Sequence, residues 1–310
     1  MADDRPHLLY FYDAAFASCT RVSLVTALAA TPGALRVTLH PTEDDPALTD
    51  DLAALARHFP QAETAVQHID LAPFSDLPRG RLPLAARARL LMPEVHRGRV
   101  IYLDGDTVVR HDLTPLWQED LGGASLGAAL APGVHIRRAR AESGGRGADE
   151  ARAYLAKRSA DLGGIDLSRY FNNGVMVIDL DRMRENGQAA RMADIRATAR
   201  YNHRDQSYMN AIFNEDLHVI DPTWNSGWGN PRTDEGYLPA DMRAAYRASR
   251  EDPAIVHYTG FEKPWQAPRP PFKLHLSIKP RQRKARARWW AEFQTARART
   301  EAMLGRRLAF

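Results

Sequence analysis

Short apolar runs of β-type residues alternate along this chain with longer stretches whose apolar positions recur at helical spacing. Residues 8–12 are followed by 21–30, 35–40 by 46–58, and 65–71 by 84–94, before a further run at 100–103. Runs of four to seven apolar residues read as buried strands, and the longer amphipathic stretches as helices. Strand and helix units in series predict parallel strands joined by helical crossovers, which is a doubly wound α/β sheet. The second half is less regular. Strands are predicted at 126–130, 174–180, 217–220 and 255–258, with helices over 181–200 and 206–213. Residues 137–147, rich in Arg and Gly, read as an irregular loop able to act as a lid. Residues 266–272 hold three prolines and read as a stiff connector.

Composition narrows the class. With 310 residues, 44% apolar and 26% charged, the chain can bury a proper core and is not disordered throughout. One cysteine, Cys19, forms no internal disulfide and fits a reducing compartment. The charged start, Met1-Ala-Asp-Asp-Arg-Pro6, has no signal-like apolar core, and no run of 18 apolar residues occurs. The expected location is therefore the cytoplasm, with the inner face of the plasma membrane as a peripheral site. The net charge of +4 is unevenly spread. Residues 279–310 carry ten Lys and Arg against Glu292 and Glu301, a net +8, which leaves −4 for the first 278 residues.

Candidate chemistry begins at Arg99-Val-Ile-Tyr-Leu-Asp-Gly-Asp-Thr107, where a strand-like run ends in Asp104 and Asp106 around a glycine. On an extended backbone residues i and i+2 point to one side, so the two carboxylates can converge. Two hard oxygen ligands suit Mg²⁺ or Mn²⁺, and Gly105 would let a diphosphate approach the backbone. Taken alone, Asp-x-Asp also reads as a polar turn after a strand.

Four later segments change those odds. They are Tyr170-Phe-Asn-Asn-Gly-Val-Met-Val-Ile-Asp179, Arg204-Asp-Gln-Ser-Tyr-Met-Asn-Ala-Ile-Phe213, Pro222-Thr-Trp-Asn225 and Ile255-Val-His-Tyr-Thr-Gly-Phe-Glu-Lys-Pro-Trp265. In this order, after Tyr102-Leu-Asp-Gly-Asp106, they closely resemble the signature segments of family 8 retaining glycosyltransferases. The likeness is to the bacterial lipopolysaccharide galactosyltransferase type, with glycogenin more distant, and it covers about residues 8–265. It implies a GT-A fold: a doubly wound mixed sheet with a Rossmann-like nucleotide-binding half. It also implies a catalytic domain over 1–272, a basic helical tail over 273–310, and hexosyl transfer from a UDP-sugar with Mn²⁺, or alternatively Mg²⁺.

Carried over residue by residue, the resemblance makes Asp104, Asp106 and His257 the metal ligands. An imidazole beside carboxylates suits Mn²⁺ somewhat better than Mg²⁺. Asp13 matches the acid that accepts the uracil N3–H. Arg89, with Arg87 as the alternative, matches the arginine that touches donor phosphate and sugar. Asn172 and Asn173 would meet sugar hydroxyls, Gly260 would offer a backbone N–H to phosphate, and Lys263 would add positive charge. Asp205 and Gln206 match the catalytic pair at the donor sugar's reactive face. Three positions depart from the family pattern: Ala14 and Ala15 follow Asp13, Ala131 stands where an aspartate contacts sugar hydroxyls, and Ser207 follows Gln206. Without a clear carboxylate nucleophile, front-face substitution is expected, the leaving phosphate taking the acceptor's proton. The donor is UDP-glucose or UDP-galactose and the acceptor a glycan or glycolipid.

The tail mixes cations with Trp289, Trp290 and Phe293 at helical spacing. That pattern suits an anionic membrane surface, and packing of the aromatics on the body is the alternative. The acidic body argues against a nucleic-acid partner. The rival functions are a catalytically silent nucleotide-sugar or carbohydrate-binding module and a self-glucosylating glycogenin-like enzyme.

Overall fold

Seven strands hydrogen-bond in the order β3-β2-β1-β4-β7-β6-β8 in the computed structural model, which describes residues 4–72, 84–201, 204–228, 238–260, 263–266 and 280–310. These are β1 (His7–Tyr12), β2 (Leu35–Pro41), β3 (Ala62–Val66), β4 (Arg99–Leu103), β6 (Leu126–Leu130), β7 (Phe171–Asp179) and β8 (Leu217–Val219). β1 to β4 run parallel, β7 runs antiparallel to β4 and to β6, and β8 is parallel to β6. A smaller sheet orders β5 (Thr107–Val109), β10 (Ile255–His257) and β9 (Ser226–Gly227) side by side. The expected mixed α/β sheet is thus present, with its parallel half first.

Alternation along β1 builds both core layers. Leu8, Tyr10 and Tyr12 face a cluster with Leu24, Leu28 and Leu52 from the helices Ala17–Ala30 and Leu48–Ala56. Leu9 and Phe11 face the other side, with Met92, Met176, Ile178 and Met209. Because both faces are covered, β1 is apolar from Leu8 to Tyr12, as buried parallel strands are. Order reverses between β1 and β4, the place where α/β sheets open a crevice at the carboxyl ends of their strands. Asp13 and Asp104 directly follow these two neighbouring strands.

Several boundaries differ from the pattern-based expectation. β3 runs over Ala62–Val66 rather than 65–71 and is a largely exposed edge strand. The helix expected over 181–200 is broken at Gly187, whose φ of 72° ends one helix and starts the next. Residues 137–147 do not form an irregular loop. They lie in a helical hairpin, Pro132–Glu142 and Ala148–Asp161, with Gly144 and Gly147 at positive φ in the turn. Pro132 starts the first helix, and Ala and Arg, both strong helix formers, sustain it.

The C-terminal helix Pro280–Leu304 bears on the tail. Trp289 and Phe293 are fully buried among Val22, Val108, Val256 and Tyr258, and Tyr258 donates its hydroxyl hydrogen to the Trp289 carbonyl. The expectation that these aromatics meet a membrane is corrected for both: they complete the core beside the small sheet. Apart from Gln266, the connector expected at 266–272 lies outside the described residues, as does the boundary at 272/273. Among the described residues no helix is long and apolar enough to cross a membrane.

Candidate metal and donor site

The turn between β4 and β5 carries both acids. Gly105 sits so close to the helix Ala17–Ala30 that a Cβ there would lie 2.2 Å from Thr20 Oγ1. Its missing side chain therefore seats the turn on that helix, a role the sequence reading had given to phosphate approach. β10 pairs antiparallel with β5 so that His257 lies opposite Thr107, and Asp106 O accepts from the Tyr258 N–H at 2.9 Å. One ligand atom each from Asp104, Asp106 and His257 lies within 4.8 Å of the others. His257 Nε2 is 3.1 Å from Asp106 Oδ1 and 3.6 Å from Asp104 Oδ2.

A chain of amides fixes which imidazole nitrogen faces the acids. The Gly174 N–H donates to Asn172 Oδ1 at 3.0 Å, so that atom is the amide oxygen. Asn225 Nδ2 therefore donates to the same oxygen at 2.9 Å, which leaves Asn225 Oδ1 facing His257 Nδ1 at 2.8 Å. A carbonyl oxygen needs a donor, so Nδ1 carries the proton. Nε2 therefore faces the two carboxylates, and when it carries no proton its lone pair is free for a metal. One oxygen from each acid and Nε2 of His257 are close enough to converge on a single cation. The donor set and the second-sphere hydrogen bond both fit a hard divalent metal with one imidazole ligand. Gly174 is required here: a Cβ on it would lie 2.1 Å from His257 Cε1 and 2.7 Å from Asp104 Oδ2.

Cations already surround the cluster. Lys263 Nζ donates to Asp106 Oδ2 at 2.6 Å and also to the Tyr258 carbonyl. Burial opposes ionisation of Asp106, but His257 in its protonated form and Lys263 outweigh it and hold the carboxyl well below the usual carboxylate range. Arg89 is buried and bridges the two halves of the site. One guanidinium nitrogen donates to Asp104 Oδ1 and to the Tyr102 hydroxyl, each at 2.9 Å, while the other contacts Asp205 Oδ2. Arg89 thus touches both Asp104 and Asp205. Burial alone would lower its pKa, but Tyr102 and Asp104 raise it.

Asp205 and Gln206 open the helix Arg204–Phe213 beside β7. Asn173 Nδ2 donates to Asp205 Oδ2 at 3.1 Å, and Asn172 Nδ2 points at Gln206 Oε1 at 3.4 Å. Successive asparagines on β7 thus serve different neighbours: Asn173 holds Asp205, while Asn172 also belongs to the amide chain behind His257. Asp13 caps the turn Ala14–Phe16, its Oδ1 accepting the Phe16 N–H at 3.2 Å, and burial raises its pKa. Glu43 from the end of β2 accepts the Ala14 N–H at 3.0 Å, placing a carboxylate beside the alanines that depart from the family pattern. The Gly260 N–H, expected to meet phosphate, is donated to the Trp228 carbonyl at 3.2 Å and closes the turn after β10. Phe261 and Glu262 lie outside the described residues.

Asn225 and Tyr102 were given no role from sequence. Asn225 lay within a recognised segment, and its partner was invisible because 32 residues separate it from His257. Tyr102 reads simply as a strand aromatic, although its hydroxyl bonds Asp104.

The profile of glycosyl transferase family 8 matches residues 16–268. General stress protein A of Bacillus subtilis (strain 168) is 26% identical over 204 residues, which make up 59% of this chain and 59% of that protein. The apo structure of the bifunctional glycosyltransferase WbbM superposes with a TM-score of 0.70 at 21% identity, covering 96% of this chain and 52% of that one. The galactosyltransferase LgtC, solved with donor and acceptor sugar analogs, superposes with a TM-score of 0.64 at 20% identity, covering 93% and 99%. The chain therefore spans little more than half the length of the first two and nearly all of the third. It belongs to glycosyl transferase family 8.

Proposed function

From this family membership we propose that the chain is a metal-dependent, retaining hexosyltransferase. It moves glucose or galactose from a UDP-sugar to a glycan or glycolipid acceptor. The observation that carries the reading is the convergence of Asp104, Asp106 and Nε2 of His257 at the carboxyl end of β4. Those three residues would hold the ion, Mn²⁺ in preference to Mg²⁺, and its charge would neutralise the donor diphosphate.

The chain's own residues supply the rest. Asp13 accepts from the base, and Lys263, one hydrogen bond from Asp106, adds a positive charge where the leaving phosphate gains a negative one. Arg89 holds Asp104 and Asp205 in fixed relation. The Gln206 amide oxygen faces the anomeric carbon and Asp205 holds sugar hydroxyls, with Asn173 orienting Asp205. An amide is too weak a nucleophile for a double displacement, so retention follows from front-face attack. In that step the acceptor oxygen bonds the anomeric carbon as the bond to phosphate breaks, and the departing phosphate takes the acceptor's proton. Ala131 offers no hydroxyl partner, so nothing in this part of the pocket favours galactose over glucose. Residues 1–272 would form the catalytic unit and 273–310 a tail whose exposed cations, Lys284, Arg288 and Arg299 among them, could meet anionic lipid.

The test is release of UDP from UDP-glucose and UDP-galactose with and without Mn²⁺. Turnover of at least one donor that stops with EDTA and returns with Mn²⁺ supports the proposal. No turnover of either hexose, or a glycosyl adduct trapped on a side chain of the unmutated protein, contradicts it.

A further inference from the structure

At the pole of the main sheet opposite Asp104, the amino ends of β1 and β4 border a cavity of about 580 Å³. That is within the usual size of small-molecule sites, roughly 300–1,000 Å³. β4 runs from Arg99 at this end to Leu103 at the other, so about 16 Å of strand separates the cavity from the metal cluster. Four guanidinium groups line it, those of Arg5, Arg36, Arg97 and Arg99, together with the ring of Trp117 and the two acids Asp4 and Asp181.

Each of these arginines already has a protein partner, and Arg5 and Arg36 make further interactions. Asp181 is committed elsewhere, accepting the Gly98 N–H at 3.0 Å and pairing with Arg184 at 2.9 Å. Arg5 pairs with Glu63 at 3.1 Å, but both side chains are well exposed and the pair is weak and exchangeable. Arg36 donates to His7 Nδ1 at 2.8 Å, and Arg97 donates to the Pro93 carbonyl at 3.2 Å. Arg99 stacks toward Trp117 and contacts the Glu119 carbonyl, yet its buried Nε meets no acceptor among the described residues. Burial lowers the pKa of Arg99 even though Asp179, Glu119 and Asp120 act to raise it. Arg99 is half-buried, and its unused Nε donor is costly to leave unpaired.

We propose that this arginine-lined cavity is a second binding site, separate from the donor site, for a small phosphorylated molecule carrying more than one negative charge. Forked guanidinium donors match phosphate oxygens in pairs, and Trp117 gives an apolar wall for the ligand's organic part. Carboxylate ligands share the charge but offer fewer acceptor oxygens than four arginines can use.

Inorganic pyrophosphate is a suitable probe, titrated by calorimetry into the full chain in EDTA so that no metal recruits it to the donor site. Three proteins are compared: wild type, R36Q/R97Q and K263M. Binding to wild type that falls about tenfold or more in R36Q/R97Q, but holds in K263M, supports the site. No binding at millimolar pyrophosphate, or loss in K263M with none in R36Q/R97Q, overturns it. Should R36Q/R97Q fail to fold, hydrogen exchange on the wild type decides. Pyrophosphate-dependent protection around 36 and 97–99 supports the cavity, and protection confined to 104–106 and 257–260 contradicts it.

Discussion

Gly174 sets the spacing of the metal cluster, because two of its three members press against the place where a Cβ would be. Gly174→Ala is predicted to keep the fold, with unchanged circular dichroism, while Mn²⁺ affinity measured by electron paramagnetic resonance drops by about 10- to 100-fold. Asn225 acts through His257. Asn225→Leu removes the acceptor for Nδ1–H and leaves Asn172 Oδ1 with one donor fewer, so Mn²⁺ affinity is predicted to fall by a similar ~10- to 100-fold. Asn225→Asp keeps an acceptor for Nδ1–H but also loses the donor to Asn172 Oδ1, and should recover part of that loss. Equal affinity in Asn225→Leu and wild type would remove Asn225 from this role. At this scale the sequence was informative about first contacts. Asp104, Asp106 and His257 stood in motifs, whereas the amide chain behind the histidine joins residues 172, 174, 225 and 257, a link only the fold reveals.

A buried histidine pair joins the carboxyl end of β2 to the segment before β4. His40 Nε2 and His96 Nε2 are 2.7 Å apart, and the His40 ring stacks on Phe11. Burial, then the neighbouring His96, lowers the His40 pKa to about 3; burial, then Arg36, lowers that of His96 to about 4. Both folded values lie below the ordinary 6.5, so the unfolded chain binds protons first as the pH drops. Stability from this pair is complete above about pH 6.5 and is lost as the pH falls from there toward 3 to 4. Thermal melts should show Tm declining between pH 6.5 and 4, with a shallower slope in His40→Gln; a Tm independent of pH over that range would contradict the assignment. Element boundaries were less legible than element types. β1, β4, β6 and β10 matched their apolar runs within a residue or two because burial on both faces dictates composition. β3, an exposed edge, gave no such signal. The 132–161 hairpin hid behind its arginines and glycines, which read as a loop until its small residues Val134, Ala141, Ala148 and Ala151 are seen to be buried.

Across the whole molecule, the basic tail is structural before it is anything else. Trp289 and Phe293 fill the core beside the small sheet that bears His257, Arg110 lies over the Trp289 ring and pairs with Glu292, and Arg306 pairs with the buried Asp51. Trp289→Ala is predicted to destabilise the chain by about 3–5 kcal/mol, read as a fall in Tm. Removing residues 280–310 should destabilise the catalytic body itself, so a truncated chain with wild-type Tm would show that the tail folds apart from it. The charge imbalance was visible in the sequence, but the destination of the aromatics was not, because periodicity cannot say whether a face meets lipid or protein.

The central claim is a divalent cation held by residues from opposite ends of the chain, and Mn²⁺ binding in the presence of UDP tests it most directly. Calorimetric titration should give one Mn²⁺ per wild-type chain and no measurable site in His257→Leu or Asp106→Asn at the same folded fraction. Stoichiometric binding that survives both substitutions would place the metal elsewhere and contradict the account.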